Sequence, residues 1–149
     1  MKKVSFIAVL TGLLFGALSA HAGKDGWLTN FDDALAKAKA EGKHVLVEFH
    51  GSDWCPPCIK LNNEVLTQDA FKALAESSLV LVDADFPRKT KLPEDQVAHN
   101  DALAQKFGVR YFPTVLIIDG DGKVQDKIVG FPEGGLEGFV KFIKTSTDS

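Results

Sequence analysis

SDWCPPCIK, residues 52–60, contains both cysteines of this 149-residue chain, separated by two prolines. The preceding run HVLVEFH, residues 44–50, is short and rich in β-formers, which is typical of a buried strand. Gly51 then breaks the run. Because prolines are tolerated in the first turn of a helix, residues 56–66 are predicted to be helical. The two cysteines are therefore expected at a junction where a strand has ended and a helix begins.

A cysteine in the first turn of a helix faces unpaired backbone N–H groups and the positive end of the helix dipole. Both stabilise a thiolate, so Cys55 is the predicted nucleophile and its pKa is expected below about 8.5. Pro56 and Pro57 carry no N–H, so the donors available to the Cys55 sulfur are expected to begin with the amide of Cys58. Cys58, one turn further on, is the predicted resolving thiol that attacks a mixed disulfide.

Other interpretations of the cysteine pair remain open at this point. A structural disulfide is disfavoured, because closing so short a loop constrains the unfolded chain little. Cu(I) binding by the two thiolates and His50 is the main alternative, since cysteine sulfur suits a soft ion, whereas zinc needs more ligands than this spacing supplies. The paired prolines favour redox chemistry. His44 and His99 have no metal-like spacing and are interpreted as surface histidines.

The first 22 residues have the pattern of a secretory signal. Two lysines open the chain, an apolar run occupies residues 4–18, and Ala20-His21-Ala22 places small residues at the positions that a signal peptidase reads. The run is shorter than the ~20 apolar residues of a membrane-spanning helix. We expect cleavage before Gly23, a single domain at 23–149, no stable membrane insertion after cleavage, and a periplasmic or secreted location.

The charge of the chain excludes one class of partner. Twenty acidic residues exceed 17 basic ones, and the formal net charge is −3. Nucleic-acid binding needs a clustered basic face, and the sequence contains none.

Hydrophobic periodicity predicts alternating helices and strands, with Gly42 and Gly108 ending two helices and Thr67 capping a further helical segment around Phe71. The order α, β, α, β, α, β, β, α predicts an α/β fold, a central mixed sheet with helices on both faces. The predicted helices lie at 31–39, 56–66, 97–107 and from Leu136 to Ile143, and the predicted strands at 44–50, 79–84, 114–118 and 123–129.

The segment DFPRKTKLPEDQ, residues 85–96, is polar, contains two prolines and is predicted to be a loop rather than a regular element. Its cations Arg88, Lys89 and Lys91 are available to an acidic partner, but a solvated loop is the favoured interpretation.

With these features the chain resembles the thioredoxin superfamily, in particular its exported bacterial members and the C-terminal domain of the disulfide-interchange protein DsbD. The resemblance is carried by WCPPC at 54–58 and FGVRYFPT at 107–114, and it covers nearly all of residues 23–149. It implies the thioredoxin fold and no cofactor or metal beyond a redox-active Cys55–Cys58 disulfide. It also implies partner proteins with disulfides or thiols, and a membrane thiol electron donor.

The resemblance further implies a substrate groove beside the cysteines. Pro113 would be a cis-proline facing them, and Trp54 would flank and shield the nucleophile. Phe112 and Gly130 would line the groove that receives the extended backbone of the partner. The alternatives are an ordinary core aromatic for Phe112 and an ordinary loop glycine for Gly130.

Thioredoxins keep a buried carboxylate beneath the second cysteine, and Glu48 is the candidate. The stretch between Glu48 and Cys55 is one residue longer than usual, and the position of the partner lysine falls near Leu81, so that partner is expected to be missing. A buried Glu48 without it would have a raised pKa and could take the proton from Cys58 as a general base. The alternative is a solvent-exposed carboxylate at a strand edge.

The sequence therefore predicts a protein thiol-disulfide oxidoreductase that reduces or isomerises disulfides, with Cys55 attacking, Cys58 resolving and Glu48 moving the proton. One alternative is a Cu(I) metallochaperone that uses the same cysteines. Another is a redox-inert binding module, against which the intact Cys55, Cys58 and Pro113 argue.

Overall fold

A computed structural model describes residues 23–148, and the elements follow the predicted order with shifted boundaries. The predicted signal peptide, residues 1–22, lies outside the described residues. The helices are α1 Phe31–Glu41, α2 Pro56–Leu61, α3 Asp69–Ser78, α4 Glu94–Lys106 and α5 Gly135–Thr147, and a π-helical turn, Asn62–Leu66, continues α2. The strands are β1 His44–His50, β2 Leu79–Asp85, β3 Thr114–Ile118 and β4 Val124–Val129.

The four strands form one mixed sheet in the order β2-β1-β3-β4. Strands β1 and β2 are parallel, whereas β1–β3 and β3–β4 are antiparallel. In this register Glu48 on β1 lies beside Asp83 on β2 and Val115 on β3. The predicted mixed sheet is therefore confirmed.

Alternating side chains of the strands supply two separate hydrophobic cores. On one face Val45, Val47 and Phe49 pack with α1 and α4. On the other face Leu46 packs with α2, the π-helical turn, α3 and α5. Because successive strand residues point to opposite faces, the prediction of helices on both sides of the sheet is confirmed.

The ends of α1 follow the sequence signals. The side chain of Asn30 accepts a hydrogen bond of 3.1 Å from the backbone N–H of Asp33, and Gly42 ends the helix at φ 65°. Gly108, after α4, is also left-handed at φ 62°. Glycine adopts this conformation without the steric cost that other residues incur, so both predicted stops are confirmed.

Several boundaries differ from the predictions, and the differences at α4 and α3 have a physical reason. Helix α4 begins at Glu94 rather than 97, so the last three residues of the expected loop 85–96 are helical. Acidic residues in its first turn complement the helix dipole, a signal that the hydrophobic pattern does not contain. Thr67 does not cap α3, because its hydroxyl donates to the carbonyl of Asn63, and Gln68 takes the cap position.

The segment 23–29 covers the outer edge of the sheet. The backbone N–H of Leu28 donates to Leu81 (2.8 Å), and the N–H of Asp83 donates to the carbonyl of Leu28 (2.8 Å). This pairing occupies backbone groups of β2 that would otherwise be free at a sheet edge.

None of the helices within residues 23–148 combines the length and apolar character needed to cross a membrane.

Candidate active site

Cys55 and Cys58 form a disulfide at the start of α2, with an S–S bond of 2.01 Å. Cys55 is the N-cap residue, and the prolines occupy the first helical positions as predicted. The N–H groups of Cys58 and Ile59 both donate to the carbonyl of Cys55, at 3.1 and 3.0 Å. The expectation that the Cys58 amide is directed to the Cys55 sulfur is therefore wrong for this oxidised form, because the helix uses that donor for its first turn.

The peptide bond between Phe112 and Pro113 is cis, as the resemblance implies. The N–H of Gly130, at φ 87°, donates to the carbonyl of Pro113 at 2.7 Å. Phe49 near the end of β1 pairs with Thr114 at the start of β3. Pro113 therefore lies at the end of the sheet where β1 stops and the cysteine-bearing segment begins. The structure thus brings Phe112, Pro113 and Gly130 together at this end of the sheet.

Trp54 is fixed between the cysteines and the cis-proline segment. Its ring meets that of Phe112 edge to face, with centroids 6.1 Å apart, and its indole N–H donates to the carbonyl of Phe86 at 2.7 Å. Gly51 makes this position possible, because a Cβ there would lie 2.3 Å from the indole nitrogen. Trp54 directly precedes Cys55 in the chain, and its role in flanking that sulfur stays a prediction.

Glu48 is fully buried, which contradicts the alternative of an exposed carboxylate. It shares a sheet face with Leu46, whose core includes Leu61 of α2, so Glu48 lies on the side of the sheet that carries the cysteines. Its Oε2 accepts a hydrogen bond from the Lys24 ammonium. The expectation that no lysine partners Glu48 is therefore wrong: the cation comes from segment 23–29 and not from the strand position of Leu81. Its Oε1 has no hydrogen-bond partner among residues 23–148.

His50 and Asp83 form a second buried hydrogen-bonded pair beside Glu48, with His50 Nε2 2.5 Å from Asp83 Oδ1. Burial opposes the charged form of His50, but the hydrogen bond to Asp83 and the negative charge of Glu48 outweigh it and raise the pKa of His50. Burial likewise opposes ionisation of Asp83, but the contacts with His50 and Lys24 outweigh it and lower the pKa of Asp83. The backbone N–H of Lys24 donates to Asp83 at 3.2 Å. Lys24 thus touches both carboxylates.

The geometry argues against Cu(I) binding by the two cysteine thiolates together with His50. Both ring nitrogens of His50 face carboxylates, since Nδ1 also lies 3.9 Å from Asp85 Oδ1. His50 is therefore engaged away from the thiolates. Within the described residues, one group of side chains has the spacing of metal ligands. It consists of Glu48, His50 and Asp83, whose ligand atoms lie within 4.8 Å of one another. The ammonium of Lys24 already supplies the cation of that cluster.

His99 is also more than a surface histidine. It is half-buried, and its Nε2 accepts a hydrogen bond of 3.2 Å from the backbone N–H of Phe31. This bond satisfies a free donor in the first turn of α1.

Sequence reasoning missed Lys24 and Asp83. Lys24 is the second residue after the predicted cleavage site and lies in no periodic segment, so no local pattern marks it. Asp83 carries a weak signal, because a charged residue interrupts the apolar strand run LVLVDA at 79–84.

Comparisons with known proteins agree with this geometry. Residues 31–140 match the thioredoxin-like domain family. The disulfide bond reductase DsbH of Chlamydia pneumoniae is 36% identical over 117 residues, which covers 78% of this chain and 70% of that protein. A solved structure titled DsbH oxidoreductase superposes with a TM-score of 0.76 at 31% identity, covering 89% of this chain and 94% of that one.

A third relative accounts for the resemblance to DsbD. The thiol:disulfide interchange protein DsbD of Pseudoalteromonas atlantica is 31% identical over 96 residues, or 64% of this chain. The match covers 15% of DsbD, so it concerns one part of that larger protein. With the family match, the DsbH similarity and the disulfide at the start of α2, the chain belongs to the thioredoxin-like family of thiol-disulfide oxidoreductases.

Proposed function

We propose that the chain is an exported oxidoreductase that reduces or isomerises disulfides in other proteins. The observation that carries this proposal is the Cys55–Cys58 disulfide in the first turn of α2, next to the cis Phe112–Pro113 bond. A cysteine pair in this position can pass between dithiol and disulfide without any other cofactor.

In the first step the thiolate of Cys55 attacks one sulfur of a substrate disulfide. A mixed disulfide forms between Cys55 and the substrate, and the other substrate sulfur leaves as a thiolate. Cys55 is the proposed nucleophile because it occupies the N-cap, where the helix dipole favours a negative sulfur.

In the second step Cys58 loses its proton and attacks Cys55, which releases the second substrate sulfur and forms the Cys55–Cys58 disulfide. Glu48 is the proposed proton acceptor. It is buried on the face of the sheet that α2 covers, and its Oε1 has no hydrogen-bond partner among the described residues. In isomerisation, a substrate thiol resolves the mixed disulfide before Cys58 does.

The proposed substrate groove runs between Trp54 and the cis-proline segment. Phe112 contacts the ring of Trp54, and Gly130 donates to the carbonyl of Pro113, which supports a groove lined by these four residues next to Cys55. An extended partner backbone that places its sulfur at Cys55 would lie along this edge.

The name of one relative favours reduction as the direction. DsbH is named a disulfide bond reductase, and it is 36% identical to this chain over 117 residues. Because each turnover consumes two electrons, the chain then needs a thiol donor, and a membrane electron donor is the proposed source.

Export rests on the sequence of residues 1–22, with cleavage proposed before Gly23. It is supported by the contacts of Lys24 with Glu48 and Asp83, because they place the second residue after the proposed cut inside the folded domain. Mass spectrometry of the mature protein tests this, and a protein that retains residues 1–22 would contradict it.

The first experiment is the reduction potential of the cysteine pair, measured by equilibration with glutathione buffers and alkylation of free thiols. A potential near the ~−270 mV of thioredoxin supports a reductant. A potential near the ~−120 mV of DsbA would instead make the chain a donor of disulfides.

The second experiment separates the steps with variants in an insulin-reduction assay. Cys55→Ser should abolish turnover, whereas Cys58→Ser should accumulate the mixed disulfide. Glu48→Gln should slow resolution, on the order of tenfold, and change the dependence of that step on pH. Glu64→Gln, at an exposed carboxylate in the π-helical turn that continues the cysteine-bearing helix α2, is the control and should behave like the unmodified protein. Binding of a partner without turnover by the unmodified protein would favour the redox-inert alternative.

A further inference from the structure

The loop between β2 and α4, residues 86–93, is held firmly against the active site. The carboxylate of Asp53 accepts hydrogen bonds from the backbone N–H groups of Arg88 (2.9 Å), Lys89 (2.8 Å) and Thr90 (2.8 Å). The hydrogen bond from Arg88, with those from Thr90 and Lys89, lowers the pKa of Asp53 to about 2. The carboxylate is therefore ionised at neutral pH and anchors the tip of the loop two residues before Cys55.

The base of the loop touches both sides of the proposed groove. Phe86 accepts the indole N–H of Trp54 and stacks on Phe112, with ring centroids 4.9 Å apart. Trp54 precedes the nucleophile Cys55, and Phe112 precedes the cis-proline. A partner segment that reaches the cysteines must therefore pass beside this loop.

The loop presents unpaired positive charge at this position. Arg88, Lys89 and Lys91 are exposed, and none of them takes part in an ion pair with the described residues. The guanidinium of Arg88 lies 3.5 Å from the centroid of the Trp54 ring, so one cation sits over the residue next to the nucleophile.

The nearest acidic side chains offset part of this charge but form no ion pair with the three cations. Asp53 is hydrogen-bonded to the loop backbone, and Asp85 accepts hydrogen bonds from the N–H and hydroxyl of Ser52, at 2.9 and 2.6 Å. The acidic residues of α4 begin at Glu94, after the loop has ended.

The groove beside these cations is partly apolar. Phe86, Leu92 and Val97 line a space of about 360 Å³ together with Arg88 and Lys91, and the lining also includes Asp85, Thr90 and Asn100. Apolar side chains next to two cations suit a peptide segment that carries an apolar side chain beside carboxylates.

We propose that residues 86–92 are a docking surface for acidic segments of partner proteins, so that the chain prefers disulfides flanked by Asp or Glu. This inference rests on the proposed function, because the surface borders the groove in which the substrate sulfur meets Cys55. Charge complementarity of this kind raises association rates and is weakened by salt.

The test uses two disulfide-bonded peptides of equal length that differ in having Glu or Gln beside the reactive cysteine. Their reduction by the dithiol form is compared for the unmodified chain, for Arg88→Gln/Lys89→Gln/Lys91→Gln, and for the charge-matched control Lys37→Gln/Lys141→Gln/Lys144→Gln on α1 and α5. The loop substitutions change side chains only, so the hydrogen bonds from the loop backbone to Asp53 stay in place.

The unmodified chain and the control should reduce the Glu peptide roughly fivefold more efficiently in kcat/KM at low salt. The loop variant should lose that preference, as should the unmodified chain at about 0.5 M salt, where charges are screened within a few ångströms. Equal rates for the two peptides with the unmodified chain, or a preference that survives in the loop variant, would overturn the inference.

A binding measurement separates this inference from the proposed function. Peptides with serine in place of cysteine cannot be reduced, and their binding is followed by NMR shifts of the amides at 88–92. Tighter binding of the Glu peptide that is lost in the loop variant supports the docking surface even if neither disulfide peptide is turned over. Turnover of both peptides without that difference would leave the proposed function standing and refute the docking surface.

Discussion

Lys24 is the residue on which the charge balance of the buried site depends. Its ammonium binds Glu48, and its backbone N–H binds Asp83, so one residue compensates two buried carboxylates. A buried carboxylate without a counter-charge is costly, because the low-dielectric interior cannot replace the hydration that it loses.

Lys24→Met keeps a long, unbranched side chain and removes its charge. We expect a loss of about 1–3 kcal/mol in the free energy of unfolding, less than for a fully buried pair because the Lys24 side chain is 22% exposed. Urea titration followed by circular dichroism measures it.

The matched control is Lys39→Met, because the Lys39–Asp121 pair is exposed on both sides, at 70% and 81%. That change should stay within about 0.5 kcal/mol. Equal effects of the two substitutions would show that the buried pair contributes nothing beyond a surface contact.

His50 should make stability depend on pH. Its folded-state pKa is raised above 6.5, so its contribution is fully present below that value and is lost as the pH rises through the folded-state pKa. Asp83 has the opposite sign: its pKa is lowered from 3.8, so its contribution is present above that value and is lost as the pH falls through the folded-state pKa. The His50–Asp83 pair therefore contributes most to stability at pH values above the range in which Asp83 is protonated and below the range in which His50 loses its proton.

His50→Gln should flatten the fall in stability above about pH 6.5, measured by urea titration from about pH 5 to about pH 9. The groups that face His50 are Asp83, Glu48, Asp85 and Lys24, and all of them remain in the variant. His44→Gln, at the other end of the same strand, serves as the control. A slope that persists in His50→Gln would assign the pH dependence to another group.

Three hydrogen bonds join the segment before α2 to the loop that follows β2. Asp53 precedes Cys55 by two residues and accepts hydrogen bonds from three backbone N–H groups of a loop 35–37 residues further along the chain. The loop is thereby positioned by the same segment that carries the cysteines.

Asp53→Ala should release this loop while the rest of the fold stays intact. We expect amide hydrogen exchange at residues 88–90 to accelerate, on the order of tenfold, because these donors lose their acceptor. Asp53→Asn should have a smaller effect, since its amide oxygen can still accept. Exchange in α5 is the internal control, and unchanged exchange at 88–90 would show that the loop is held by other contacts.

Segment 23–29 pairs with the outer strand β2 of the sheet. Leu28 pairs with β2 and covers backbone groups that would otherwise form an open edge. Open edges recruit strands from other molecules, so this short segment also protects the protein from self-association.

Leu28→Pro removes the N–H that donates to Leu81 and should cost about 2 kcal/mol of stability, with increased self-association. Urea titration and light scattering measure the two effects. Leu28→Ala removes the side chain but keeps the donor, so it isolates the contribution of packing. Equal losses in both variants would mean that the backbone pairing is unimportant.

The sequence predicted the parts of the fold that depend on neighbouring residues. The strand at 44–50, the prolines at the start of α2 and the stop at Gly42 each carry a local signal, and the structure confirms them. The Lys24–Glu48 and Asp53–Arg88 contacts join residues 24 and 35 positions apart, and no periodicity links them. The family resemblance supplied the cis-proline but led to the expectation that Glu48 has no partner lysine, because the family's lysine position falls near Leu81 whereas this chain takes that cation from its N-terminal segment.

The positions of the two tryptophans give the protein two separate optical probes. Trp27 lies in the N-terminal segment beside Phe71 and the Lys24 ammonium, whereas Trp54 adjoins the disulfide and the Arg88 guanidinium. Disulfides quench nearby indole emission, so the fluorescence of a Trp27→Phe variant follows the oxidation of the cysteines and the state of the loop. A Trp54→Phe variant instead follows detachment of the N-terminal segment from the sheet. One pair of variants thus separates redox change from edge opening in real time.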